Sequence, residues 1–192
     1  MNKMRKIAAT LLLAAATQFV HAQEARMTFK QTEIKGTAEE FFSALESKGF
    51  TRSGDDAVTG LFAGHSARVS ASVTPITGTV YQVTAELEDR RYWKDVEADY
   101  LTFKKNLTLK YGEPAVSGEG FELPYFRNDG HELKAVSQGK VTYMSSWMLP
   151  EGLIIIRITG DGRRMNLTMM YTDNKGIELH TQEETQTYLN DL

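Results

Sequence analysis

The chain has 192 residues, 41% hydrophobic and 24% charged, with 4 prolines, 15 glycines and no cysteine, a composition neither disordered nor fibrous. The missing cysteine excludes a disulfide, a thiolate nucleophile, a cysteine zinc site and a lipid-modified cysteine. A formal net charge of −3 argues against nucleic acid as a partner, which would demand a basic surplus.

Lys3, Arg5 and Lys6 open the chain, Ile7–Val20 is nearly all apolar or small, and Val20-His21-Ala22 closes with a small-x-small step. Together these predict a secretory signal peptide over 1–22, cleaved after Ala22. The apolar run is shorter than the ~20 residues a membrane span needs. The remainder, 23–192, is expected to be one exported domain, periplasmic or secreted, with no transmembrane segment.

Thr37 followed by Glu40 predicts a helix opened by a capping box. Phe41, Phe42 and Leu45 supply its apolar stripe, and Lys48-Gly49-Phe50 ends it. Two alternating runs follow, Arg68–Thr74 and Tyr81–Glu88, separated by Pro75-Ile76-Thr77-Gly78, and read as a hairpin. Trp93, Val96, Tyr100, Phe103, Leu107 and Tyr111 recur at helical spacing, which makes this aromatic stripe core. Glu97, Asp99, Lys104, Lys105 and Lys110 fall mostly on the polar side, acidic early and basic late, as the helix dipole favours. Gly112 and Pro114 stop the helix.

Ala115–Gly120 and Arg127–Gly130, rich in Gly, Ser, Asn and Asp, read as loops. Alternation returns over Thr142–Leu149, Leu153–Thr159 and Met165–Tyr171, with turns at Pro150-Glu151-Gly152 and Gly160-Asp161-Gly162. From 176 to 192 the chain is a polar tail. Within it Thr181-Gln182-Glu183-Glu184 matches a capping box, and the expectation is either a short terminal helix docked by Tyr188, Leu189 and Leu192 or a frayed tail. The expected fold is α+β: an antiparallel sheet of about 7–9 strands with two main helices on one face. Residues 28–89 and 90–173 share a helix-then-hairpin pattern and form candidate pseudo-repeats.

No catalytic set is spelled out in linear order. His65, His131 and His180 are far apart, and His131-Glu132 lacks the second histidine of a zinc-protease helix, since Ala135 stands there. Gly64-His65-Ser66-Ala67-Arg68 misses the last glycine of a nucleophile elbow and leads into a strand. Asp55-Asp56 and Asp173-Asn174-Lys175-Gly176 do not continue into a calcium loop. Gly118-Glu119-Gly120 lacks the third glycine of a phosphate loop. No catalytic, cofactor or metal residue is therefore assigned. Tyr92, Trp93, Tyr125, Phe126, Arg127, Arg163 and Arg164 remain as candidate partner-binding residues, because interfaces favour aromatic side chains and arginine.

Taken together, Gly36–Phe50 (GTAEEFFSALESKGF), Leu61–Gly64 (LFAG), Tyr100–Pro114 (YLTFKKNLTLKYGEP) and the hairpin ending at Tyr171-Thr172-Asp173 resemble a group of small exported bacterial α+β proteins of unknown function. The helix-then-sheet repetition is also similar to the fold of the β-lactamase inhibitor proteins, without matching inhibitory residues. The resemblance implies export and transfers no catalytic residue. The leading expectation is a non-enzymatic envelope module that binds a protein or peptide through a sheet face or its loops. The alternative is a small enzyme or small-ligand binder whose site is assembled only in three dimensions from His65, His131, Asp129, Arg127 and Glu132.

Overall fold

The computed structural model describes residues 25–192, so the expected signal peptide over 1–22 lies outside the described residues. A small hairpin of β1 (Thr28–Phe29) and β2 (Thr32–Glu33) leads into α1 (Ala38–Glu46), then β3 (Thr51–Arg52), β4 (Ala57–Phe62), β5 (His65–Val73) and β6 (Val80–Leu87). The chain continues through α2 (Trp93–Tyr111), β7 (Val116–Phe121), α3 (Glu132–Ser137), β8 (Val141–Leu149), β9 (Gly152–Gly160), β10 (Met165–Asp173) and α4 (Asn174–Asn190). β3 to β10 form one antiparallel sheet in the order β3-β4-β5-β6-β10-β9-β8-β7. Each half is thus a helix followed by a four-strand meander, and the final strands of the two meanders, β6 and β10, pair at the centre.

α1 starts as its sequence predicts. The Thr37 hydroxyl accepts from the Glu40 amide, and the Glu40 carboxylate accepts from the Thr37 amide. Gly49 takes a positive φ of 90°, which lets the Phe50 amide return to the Leu45 carbonyl and buries the Phe50 ring. α1 packs on β3, β4 and β5, whereas α2 packs on β8, β9 and β10. The inner sheet face beneath them carries Val58, Val69, Val83, Ala85, Ile154, Ile156, Leu167 and Met169, all buried. Period-two alternation along the strands and 3.6-residue spacing along the helices meet in this one layer. Two buried polar groups cross it: the Tyr100 hydroxyl bonds Ser145 Oγ at 2.7 Å, and Trp147 Nε1 donates to the Gly112 carbonyl at 2.9 Å.

Two expectations are overturned. Ala115–Gly120 is not a loop, because 116–121 form edge strand β7, in register with β8 from Val116↔Ser146 to Phe121↔Val141. Its glycines weaken local strand preference, and pairing with β8 supplies what propensity lacks. The polar tail is α4, and it begins seven residues before the Thr181 capping pattern. Asp173 caps it by accepting from the Gly176 amide, while the Thr181 hydroxyl lies mid-helix and accepts no cap bond, donating instead to the Ile177 carbonyl. Gly176 is required for close approach, since an added Cβ would lie 2.8 Å from Tyr81 Cα. Tyr188, Leu189 and Leu192 stay exposed and dock nothing among the described residues.

α4 is held mid-length by Glu183, whose buried carboxylate accepts from the Ile76 and Thr77 amides and the Thr77 hydroxyl in the β5–β6 turn. Burial alone would raise its pKa, but these donors outweigh that and bring it down to about 2. A depressed carboxylate pKa stabilises the fold fully above the ordinary value of 4.5, and that contribution is lost as pH falls towards 2. The protection factors of the α4 amides are therefore expected to fall between these pH values before those of the sheet amides, and Glu183→Gln should show the same loosening at neutral pH. A second prediction concerns β9. A Cβ at buried Gly152 would sit 2.0 Å from the Thr172 carbonyl oxygen of β10, so Gly152→Ala should cost about 3 kcal/mol or more in urea unfolding, whereas Gly120→Ala, with no atom within 4 Å, should change the folded-state packing little.

Candidate functional site

The residues singled out from the sequence are drawn towards one end of the sheet. Arg90 bridges Met165 through backbone bonds, Arg164 pairs with Asp89 at 3.0 Å, and Gly162 lies against Ser137 of α3. The β9–β10 turn, the start of α2 and α3 are thereby neighbours. The turn is fixed by Asp161, whose carboxylate accepts from the Arg163 and Arg164 amides. Tyr92, Phe126, Arg127, Arg163 and Arg164 are exposed here.

Two candidates turn inward instead. Trp93 is buried, with its ring edge-on to Phe121 and Tyr143. Tyr125 is buried, and its hydroxyl donates to Gln138 Oε1 at 2.7 Å. Both are core anchors of a loop and a helix end, not contact surface, because an aromatic ring gains more from burial than a loop loses by folding over it.

Arg127 is the most constrained of the set. Its guanidinium donates to both oxygens of Glu97, each at 2.8 Å, and the Tyr143 hydroxyl donates to the same carboxylate at 2.9 Å. Glu97 is buried although the helix pattern puts it on the polar side of α2. It lies four residues after Trp93 and three before Tyr100, hence on the inner face, and the fork of Arg127 makes that burial tolerable. Burial pushes its pKa up, but Arg127 and Tyr143 outweigh that and leave it below its ordinary value. Burial, then the Glu97 bond and charge, raise the Tyr143 hydroxyl to about 12. The cluster is a latch that closes the loop after β7 onto the start of α2.

Four of the five groups suggested for a small enzyme have contacts within the fold that account for them. The His65 ring lies tilted against Phe103, with its Nδ1 3.9 Å from Glu88 and 4.0 Å from Asp99, too far for hydrogen bonds. Asp129 accepts from the Phe126 and His131 amides and so shapes its own loop. Glu132 is buried in α3, and Arg127 is held by Glu97.

A sheet face was expected as one binding surface, yet none of the residues singled out from the sequence lies on the outer face of the strands. Register places Met144 beside Arg157, Ser146 beside Ile155 beside Met170, and Met148 beside Leu153. Met144, Leu153, Ile155 and Met170 are half-exposed, and Met148 is 73% exposed. On the other half the same face is polar, with Ser66, Arg68, Ser70 and Ser72 on β5 and Gln82, Thr84 and Glu86 on β6. The signal was present: Leu153–Ile156 is apolar at consecutive positions, so both faces of β9 carry apolar side chains.

Glu97→Gln keeps the shape of the latch but removes its charge. Tyrosinate absorbance should then show Tyr143 ionising below about 12 yet still above the ordinary 10, because burial remains. An unchanged titration would show that Glu97 does not act on Tyr143. In comparisons with family models, with characterised proteins and with solved structures, the chain matches none.

Proposed function

We propose that the chain is an exported, non-enzymatic module of the cell envelope that binds a protein or peptide partner on the outer face of β8, β9 and β10. The observation that carries this reading is the apolar band of Met144, Met148, Leu153, Ile155 and Met170, left partly or largely open to solvent on a sheet whose other face is filled. Contiguous exposed apolar surface rimmed by polar groups marks interaction sites. Methionine suits such a role because its flexible, polarizable side chain adapts to different partner shapes. The rim is polar, with Arg157 and Thr142 beside the band and Glu86 across β10.

The exposed end bearing Tyr92, Phe126, Arg163 and Arg164 supplies a second set of contacts near the same strands. The polar groups that an enzyme would need are engaged in the fold itself: Arg127 with Glu97, and Asp129 with its own loop amides. This supports binding over catalysis.

Crosslinking in the native envelope tests the assignment when three versions of the chain are compared. A partner captured by the unaltered chain and by Asp55→Ala, in an exposed turn away from both surfaces, should fall about tenfold or more with Met148→Lys. Capture that is equal in all three would refute the outer face as the binding surface.

A further inference from the structure

The two edges of the sheet differ. β3 is two residues long, and its Arg52 is paired with Glu39 and Glu46 of α1. β7 is six residues long and ends the strand order on the other side, so no strand among the described residues pairs with its outer edge. The Glu122 amide donates to the Lys140 carbonyl across from it. In an antiparallel ladder the bonded pairs alternate, so Val116, Gly118 and Gly120 turn their backbone groups to β8, while Ser117, Glu119 and Phe121 turn theirs outward. Open edges of this kind are templates for another strand.

The side chains of β7 fit a second copy of itself. With a two-fold axis at Gly118, Gly118 meets Gly118 of the second copy, and Val116, 49% exposed, meets the bare backbone of Gly120. On the inner face Glu119 comes opposite Ser117. Lys104 Nζ lies 2.8 Å from Ser117 Oγ and is ion-paired with Glu119 of its own chain. In this register each Glu119 therefore also reaches the Lys104 of the other copy, and the charges that would guard the edge become complementary across the axis.

We propose that the chain forms a homodimer by antiparallel pairing of β7 with β7 about Gly118, joining two eight-stranded sheets into one. Ser117 and Glu119 exchange backbone hydrogen bonds across the axis, and the Glu119–Lys104 pairs set the register. This assembly is independent of what binds the outer face.

Because the chain has no cysteine, single cysteines report the register cleanly. Gly118→Cys would put two thiols across a non-bonded antiparallel pair, within disulfide range. Gly120→Cys would not, because its counterpart lies displaced along the strands. Mild oxidation should give about tenfold more covalent dimer for Gly118→Cys than for Gly120→Cys, and the double variant Val116→Cys/Gly120→Cys should restore crosslinking. Sedimentation equilibrium of the unaltered protein should show a dimer. Equal yields from the two single variants, or a monomer without crosslinks in any variant, would overturn the proposal and leave the edge to a strand from another protein. A Cβ at 118 makes a tight contact with Thr142 Cγ2 at 3.2 Å; where Gly118→Cys fails to fold, the double variant alone decides.

Discussion

The pairing of β6 with β10 is the contact on which the rest of this fold depends. It sets Ala85 against Met169 and Val83 against Tyr171, and through it two separate meanders become one eight-stranded layer. Without it each half would be a four-stranded sheet with a long open edge at β6 or β10 and half of a hydrophobic core. The inner faces of both halves are continuous only because this register puts their buried rows in phase, since a slip of one residue would turn every side chain of one half to the opposite face. α1 and α2 then cover a single surface, one on each half.

Three buried carboxylates fasten the periphery to that layer. Asp173 accepts from the Met27 and Gly176 amides and pairs with Arg26, tying the start of the described chain to the cap of α4. Glu97 holds the loop after β7 through Arg127. Glu183 holds α4 to the β5–β6 turn. Each would be costly to bury alone, and each takes at least one donor from a remote part of the sequence. An apolar contact tolerates sliding, whereas a carboxylate with two or three aligned donors does not. These clips fix where loops and the last helix sit on a core whose packing is otherwise non-directional.

The asymmetry of the outer face follows from the same layer. The first half contributes serine, threonine, arginine and glutamate to it, and the second half contributes methionine, leucine and isoleucine. An antiparallel sheet needs only one apolar face to fold, so the second apolar band has no role in the core. This is why the functional reading rests on it and not on the histidines.

Much of the architecture was legible in linear order. The Thr37–Glu40 capping box, the aromatic stripe of α2 and the alternating runs of β5, β6, β8, β9 and β10 are local patterns, decided by neighbours within a few residues, and they emerge as read. β7 was not legible, because Ser, Gly and Glu carry no strand preference of their own and β8 provides the reason to extend. The early part of α4 was hidden for a similar reason: Asp-Asn-Lys-Gly looks like a turn until Asp173 is seen capping a helix against β6. The candidate site was half legible. Exposed aromatic and arginine residues do gather at one end, yet Trp93 and Tyr125 face inward and Glu97 is buried, since the partners that decide this, Arg127, Gln138 and Tyr143, are distant in sequence. The sequence by itself thus determined the elements and their apolar faces, which depend on periodicity. Only the tertiary structure decided the strand order, the buried carboxylates and the open outer band, because each depends on groups that meet solely when the two halves pair.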